Sequence, residues 1–141
     1  MAAEAAFALD DIRSTFGFFD AWQDKYAYLI DIGKELSPFP EAHRTEDNLV
    51  PGCQSQVWLL PRFDGSRLHL TIDSDAHIVR GLIAIVLAAF DGRSPRQILD
   101  FDIEALFDEL DLIGHLSATR GNGLRAMVGK IRSIAQEHVG A

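Results

Sequence analysis

Apolar residues first recur at helical spacing at Leu9, Ile12, Phe16 and Phe19, which predicts a helix from about Phe7 to Phe19. Asp20 then stands as an N-cap with Gln23 three residues on as its capping-box partner. Behind it, Trp22, Tyr26, Leu29, Ile30 and Gly33 share one face of a second helix. Pro38 and Pro40 disfavour helix in the residues before them, so this helix is expected to stop near Ser37. Residues 38 to 52 have no period: two prolines, a charged run from Glu41 to Asp47, then Asn48-Leu49-Val50-Pro51-Gly52. Connections this long in a compact domain are commonly functional or mobile.

Alternation takes over from about Ser55 to Phe63 and predicts a strand, with Val57 and Leu59 on one face and Trp58 and Leu60 on the other. Asp64-Gly65 supplies a hairpin turn, and Arg67 to about Thr71 returns antiparallel. Asp73-Ser74-Asp75 offers N-caps for a helix from Ala76 to about Phe90, whose apolar residues occupy nearly the whole circumference. A helix apolar all round is a central, buried one. Ser94-Pro95 opens a short helix, and Asp102 caps a segment carrying Ile103, Leu106, Phe107 and Leu110 on one face. Ser117 or Thr119 opens the last helix, with Leu124, Met127, Val128, Ile131 and Ile134 as its buried stripe. The pattern predicts one α+β domain over residues 1–141, its helices packed on a small antiparallel sheet.

Composition adds exclusions. At 48% hydrophobic and 24% charged, the chain is an ordinary soluble globular sequence. Its net charge of −8 is the opposite of the basic footprint that nucleic-acid binding requires. From His115 onward the balance reverses, with Arg120, Arg125, Lys130 and Arg132 against Glu137 alone. A basic last helix on an acidic body either steers a protein partner or is simply a solvated face. Met1 to Arg13 lacks the basic and apolar regions of a secretory leader. The longest apolar run, Leu82 to Phe90, is far short of the roughly 20 residues of a membrane span. A cytoplasmic protein without a membrane partner is the expectation.

The five histidines have no zinc-site spacing, and a single cysteine leaves neither a disulfide nor a metal-binding set, so no metal site is expected. Phosphate-binding glycine motifs and a nucleophile elbow are absent. Cys53 remains, in Val50-Pro51-Gly52-Cys53-Gln54-Ser55-Gln56-Val57-Trp58. Free cysteines are usually small buried hydrophobes. This one follows Pro-Gly and is flanked by polar residues, so it sits at a turn, where a reactive role is equally open. Hydrolysis requires a base and an oxyanion hole, and His43 or His77 would have to fold nearby. A cluster site requires about four ligands. Sulfur relay requires least: one accessible thiolate that attacks the terminal sulfur of a donor persulfide.

The stretch Gly52-Cys53-Gln54-Ser55-Gln56-Val57-Trp58 resembles the SufE family of sulfur acceptors, which includes CsdE. Tyr26 to Gly33, Asp73 to Leu82 and His115 to Leu124 resemble it too, in the same order, so the likeness covers roughly residues 20 to 135. Departures are small: Pro51 precedes Gly52 where the family varies, and Ala118 stands where a proline is common. The resemblance implies an α+β fold related to the IscU-type scaffold, without that scaffold's cluster ligands. It implies that Cys53 carries the persulfide and that the donor is a group II cysteine desulfurase of the SufS/CsdA type. Sulfur would then pass to an iron–sulfur scaffold or another acceptor. No cofactor is expected on this chain, the pyridoxal phosphate belonging to the desulfurase. Gly52, Gln54, Ser55, Gln56 and Asp75 are candidate partner contacts. Arg120 either stabilises the thiolate or persulfide, or organises the start of the last helix by bonding a carboxylate such as Asp75. A non-carrying activator of the desulfurase and an independent cysteine hydrolase are the alternatives.

Overall fold

A computed structural model describes residues 8–139. Helix α1 spans Leu9–Phe18, α2 Trp22–Gly33, α3 His77–Phe90, α4 Pro95–Asp100, α5 Ile103–Leu110 and α6 Ala118–His138. Strands β1 (Val57–Phe63) and β2 (Leu68–Ser74) form a two-stranded antiparallel sheet. Phe7, the expected first residue of α1, and the stretch before it lie outside the described residues.

The sheet register pairs Val57 with Ser74, Trp58 with Asp73 and Leu59 with Ile72. Val57, Leu59, Leu68, Leu70 and Ile72 are buried, so the predicted alternation faces the core as expected. Pro61 is tolerated because each strand of a two-stranded sheet has a free edge. The hairpin turns on Gly65 at φ +95°, and the Asp64 carboxylate accepts the Arg67 and Ser66 amides at 2.7 and 2.9 Å. Those bonds, with His69 at 2.8 Å, hold the Asp64 carboxyl well below the usual carboxylate range.

Helix α3 is the centre of the molecule, with twelve of its fourteen residues buried. It packs on β2 and on α2, and the α2 crossing is close enough to require glycine on both sides. A Cβ on Gly81 would meet the Leu29 carbonyl oxygen at 2.2 Å, and one on Gly33 would meet the Gly81 nitrogen at 2.7 Å. The far end of α3 is stitched to the sheet. Asp91 Oδ1 accepts the Leu70 amide at 2.8 Å, and the Leu68 amide donates to the Arg93 carbonyl at 2.8 Å.

Three expected caps form. Ser94 and Gln97 make a reciprocal capping box, Asp102 accepts the Ala105 amide, and Ser117 accepts the Arg120 amide. Two do not. Helix α2 starts one residue after Ala21, with no side-chain cap from Asp20. Aromatic packing sets that start instead: Phe16 meets Trp22 and Tyr28 edge-on at 6.3 and 6.0 Å between ring centres. Helix α3 likewise has Ala76 at its cap position without a side-chain bond, because β2 runs on to Ser74 and takes Asp73 into the sheet. There, buried Asp73 accepts from Arg44 at 2.7 Å and faces Arg80 at 3.0 Å.

Two of the four Arg and Lys side chains of α6 are engaged within the molecule. Arg125 bonds Glu104 at 3.0 Å, and Arg132 donates to the Leu99 and Phe101 carbonyls at 3.1 and 3.5 Å.

Candidate functional site

The connection from α2 to β1 contains two short 3-10 turns, Glu41–His43 and Glu46–Asn48, and then a closed loop. The Val50 amide donates to the Val57 carbonyl at 2.8 Å, which gathers residues 51–56 into a tight excursion. Asp75 holds its far limb. Its carboxylate accepts the Gln56 amide at 3.1 Å, and its own amide donates to the Gln56 carbonyl at 3.3 Å. Asp75 is therefore bound to the cysteine loop, and the alternative pairing with Arg120 does not form among the described residues. Gly52 has φ +89°, a conformation that strains other residues, and it turns the chain so that Cys53 faces α6.

Cys53 is half-buried and packs on the core. Its thiol donates to the Gly123 carbonyl at 3.5 Å. Beneath it lies a cavity of about 300 Å³, with Val79 and Leu82 of α3 and Leu124 and Met127 of α6 on its apolar wall. Thr119 and Arg120 lie on its polar side. Burial pushes the thiol above its ordinary pKa, since desolvation penalises the thiolate. A second hollow of about 550 Å³ is lined by Glu46, Leu49 and the loop residues around Cys53. The loop thus borders both hollows.

The structure brings Cys53, Gln54, Ser55 and Arg120 around one cavity. Gly52, Gln54 and Gln56 are exposed, Ser55 is half-buried, and Arg120 is exposed at the start of α6. His77 is exposed on the first turn of α3 and lies outside the cavity lining, as does His43. Sequence reasoning did not single out Val79, Leu82, Gly123 and Met127 as site residues. Val79, Leu82 and Gly123 belong to stretches that carried the family likeness, which was the available signal. No group of three or more His, Cys, Asp or Glu side chains among the described residues is placed to hold a metal ion.

Residues 10–135 match the family model described as SufE, a domain associated with Fe–S metabolism. The chain belongs to the SufE family. An uncharacterized SufE-like protein of Rhizobium meliloti (strain 1021) is 47% identical over 133 residues, covering 92% of this chain and 95% of that protein. Another from Rhizobium etli is 44% identical over 138 residues, covering 95% and 93%. The solution structure of a hypothetical protein from Thermus thermophilus superimposes with a TM-score of 0.75 over 94% of this chain and 96% of that one. At 16% identity that likeness speaks for the fold alone, the α+β SufE-like fold. The matched span contains every residue that lines the Cys53 cavity, from Cys53 to Met127. Membership associates this SufE-family chain with Fe–S metabolism. No helix among its described residues is long and apolar enough to cross a membrane.

Proposed function

We propose that this SufE-family chain is a sulfur carrier. Cys53 accepts sulfane sulfur from the persulfide of a group II cysteine desulfurase, stimulates that enzyme by unloading it, and delivers the sulfur for iron–sulfur cluster assembly. The observation that carries this reading is a lone thiol on a glycine-hinged loop, seated over a cavity with one apolar wall, several times larger than one sulfur atom needs. In the transfer, the Cys53 thiolate attacks the outer sulfur of the donor persulfide. The new Cys53 S–S bond forms, the donor's S–S bond breaks, and the donor thiolate leaves with the electron pair. No external oxidant or reductant takes part.

Burial supports a division of labour between rest and docking. At rest the raised thiol pKa keeps Cys53 protonated and unreactive, and the apolar wall shelters a persulfide from soluble thiols. Docking swings the 51–56 excursion of the 48–56 loop outward, ionises the thiol and presents it to the donor. Exposed Gly52, Gln54 and Gln56, with Ser55 beside them, are the contacts offered to the desulfurase. Arg120 lies on the polar side of the cavity, where its charge favours the anionic persulfide. A hydrolase would require a base within reach of the thiol. The polar side-chain groups that line this cavity, apart from the thiol itself, are hydroxyls, an amide and a guanidinium instead.

Intact mass spectrometry after incubation with a SufS-type desulfurase and cysteine tests the proposal. One added sulfur on the wild-type chain and none on Cys53→Ser is expected. If neither chain gains sulfur while both stimulate the desulfurase equally, the chain is an activator and not a carrier.

A further inference from the structure

Arg44 is the most heavily engaged side chain near the cysteine loop, and the transfer chemistry does not use it. Its guanidinium Nη2 donates to Asp73 Oδ2 at 2.7 Å, and Asp73 is buried at 7% exposure. The same guanidinium lies over the rings of both Phe39 and Trp58, at 5.3 and 4.9 Å from their centres. Arg44 Nε also reaches exposed Glu41 at 3.2 Å. Behind Asp73, Arg80 Nε of α3 sits 3.0 Å from Oδ1 without the alignment of a hydrogen bond.

These contacts follow from the sheet register. Trp58 and Asp73 are direct cross-strand partners, so their side chains share one face of the hairpin. Val57 and Leu59 face the core, which leaves Trp58 and Asp73 on the face that the 38–52 connection covers. A planar guanidinium bonds a carboxylate at its edge while stacking aromatic rings on its faces, and an ammonium cannot do both. Trp58 also bridges to Leu49, and the next residue pair, Val50 and Val57, closes the cysteine loop. Arg44 thus grips the strand residue adjacent to the loop's closing bond.

We propose that Arg44 is a positioning residue for Cys53. It fixes the near limb of the loop to the Trp58–Asp73 pair, confines opening to residues 51–56, and so keeps the thiol on Gly123 over its cavity. That this shelters cargo rests on the carrier reading above; that it shelters the thiol does not. Without the clamp the loop's base is loose, and the seated position of Cys53 is one among several.

The test is alkylation of Cys53 by iodoacetamide in the free, full-length protein, which requires neither desulfurase nor sulfur. Arg44→Gln is expected to react roughly tenfold faster than wild type, the factor that corresponds to losing one charge-assisted hydrogen bond. The pH midpoint of its alkylation is expected to fall toward that of an ordinary thiol, because burial is what raises it. Arg120, on the cavity's polar side, is common to both proteins and does not contribute to the difference. Arg44→Lys keeps the charge but not the plane, and is expected to recover less than half of the effect. Hydrogen exchange locates the change. Protection lost in residues 44–56 with α2 and α3 unaffected supports the clamp, whereas loss throughout marks general destabilisation and overturns it. Wild-type alkylation rate and pH midpoint in Arg44→Gln overturn it as well. Failure of sulfur loading in the wild type, with the alkylation results as expected, would remove the carrier reading and leave the clamp standing.

Discussion

Gly123→Ala separates the stability of α6 from the seating of the cysteine loop. Gly123 lies inside α6, and the nearest atoms to an added methyl are all of Cys53: Sγ at 3.6 Å, Cα at 3.7 Å and Cβ at 3.8 Å. Those are ordinary contact distances, so the methyl fits without displacement. Helix propensity favours alanine over glycine by about 0.8–1.0 kcal/mol in a helix interior. Three new contacts at about 0.1–0.2 kcal/mol each add about 0.5 kcal/mol, and they exist only while the loop is closed. Two assays read the two parts. Thermal unfolding is expected to rise by about 4 °C, reflecting mostly the helix. Iodoacetamide alkylation of Cys53 is expected to slow about twofold, reflecting only the loop contacts. A destabilised variant, or one whose Cys53 reacts faster than wild type, would refute the contact geometry from which both numbers come.

The same substitution at Gly81 has the opposite sign. Its Cβ would lie 2.2 Å from a backbone oxygen of α2 that cannot rotate away, so Gly81→Ala is expected to cost about 3 kcal/mol or more; urea unfolding with an unchanged slope checks it. Titration of Cys53 is expected to couple to stability above neutral pH. Burial raises the folded-state pKa, so the contribution is fully present below the ordinary thiol pKa and is lost as pH rises through the raised value. Stability measured from pH 7 to 10 should therefore fall more steeply in the wild type than in Cys53→Ser, and equal slopes would contradict the burial of the thiol.

Features governed by near neighbours in sequence were legible before the structure. Ser94, Asp102 and Ser117 each cap through an amide three residues on, and the alternation of β1 and the all-apolar α3 are single-segment patterns. Asp20, Asp73 and Asp75 carry the same cap chemistry on paper but act otherwise. Asp73 is claimed by Arg44, 29 residues away, and Asp75 by the Gln56 amide, 19 away. A long-range bond of that kind leaves no periodic trace. The turn that carries Cys53 was visible in Pro51-Gly52, whereas its cavity is assembled from α3, β1 and α6 and was not. The family likeness contained several of those wall residues without saying what they do.

Under the proposed carrier reading, the bond from the Cys53 thiol to the Gly123 carbonyl makes closure of the loop depend on whether Cys53 holds sulfur. A thiol has a proton to donate to that oxygen. A Cys53 persulfide has no proton left on its inner sulfur, and its outer sulfur is an anion that a carbonyl oxygen repels. The empty form is therefore held to α6 by a bond that a loaded form would lack, leaving the cavity wall and Arg120 to hold the persulfide. In that reading, loading removes one of the bonds that close the loop while the apolar wall still shelters the sulfur, which biases the next step toward handing it on. The resonance of the Gly123 carbonyl carbon is expected to differ between the two forms, and an unchanged resonance on loading would count against this dependence.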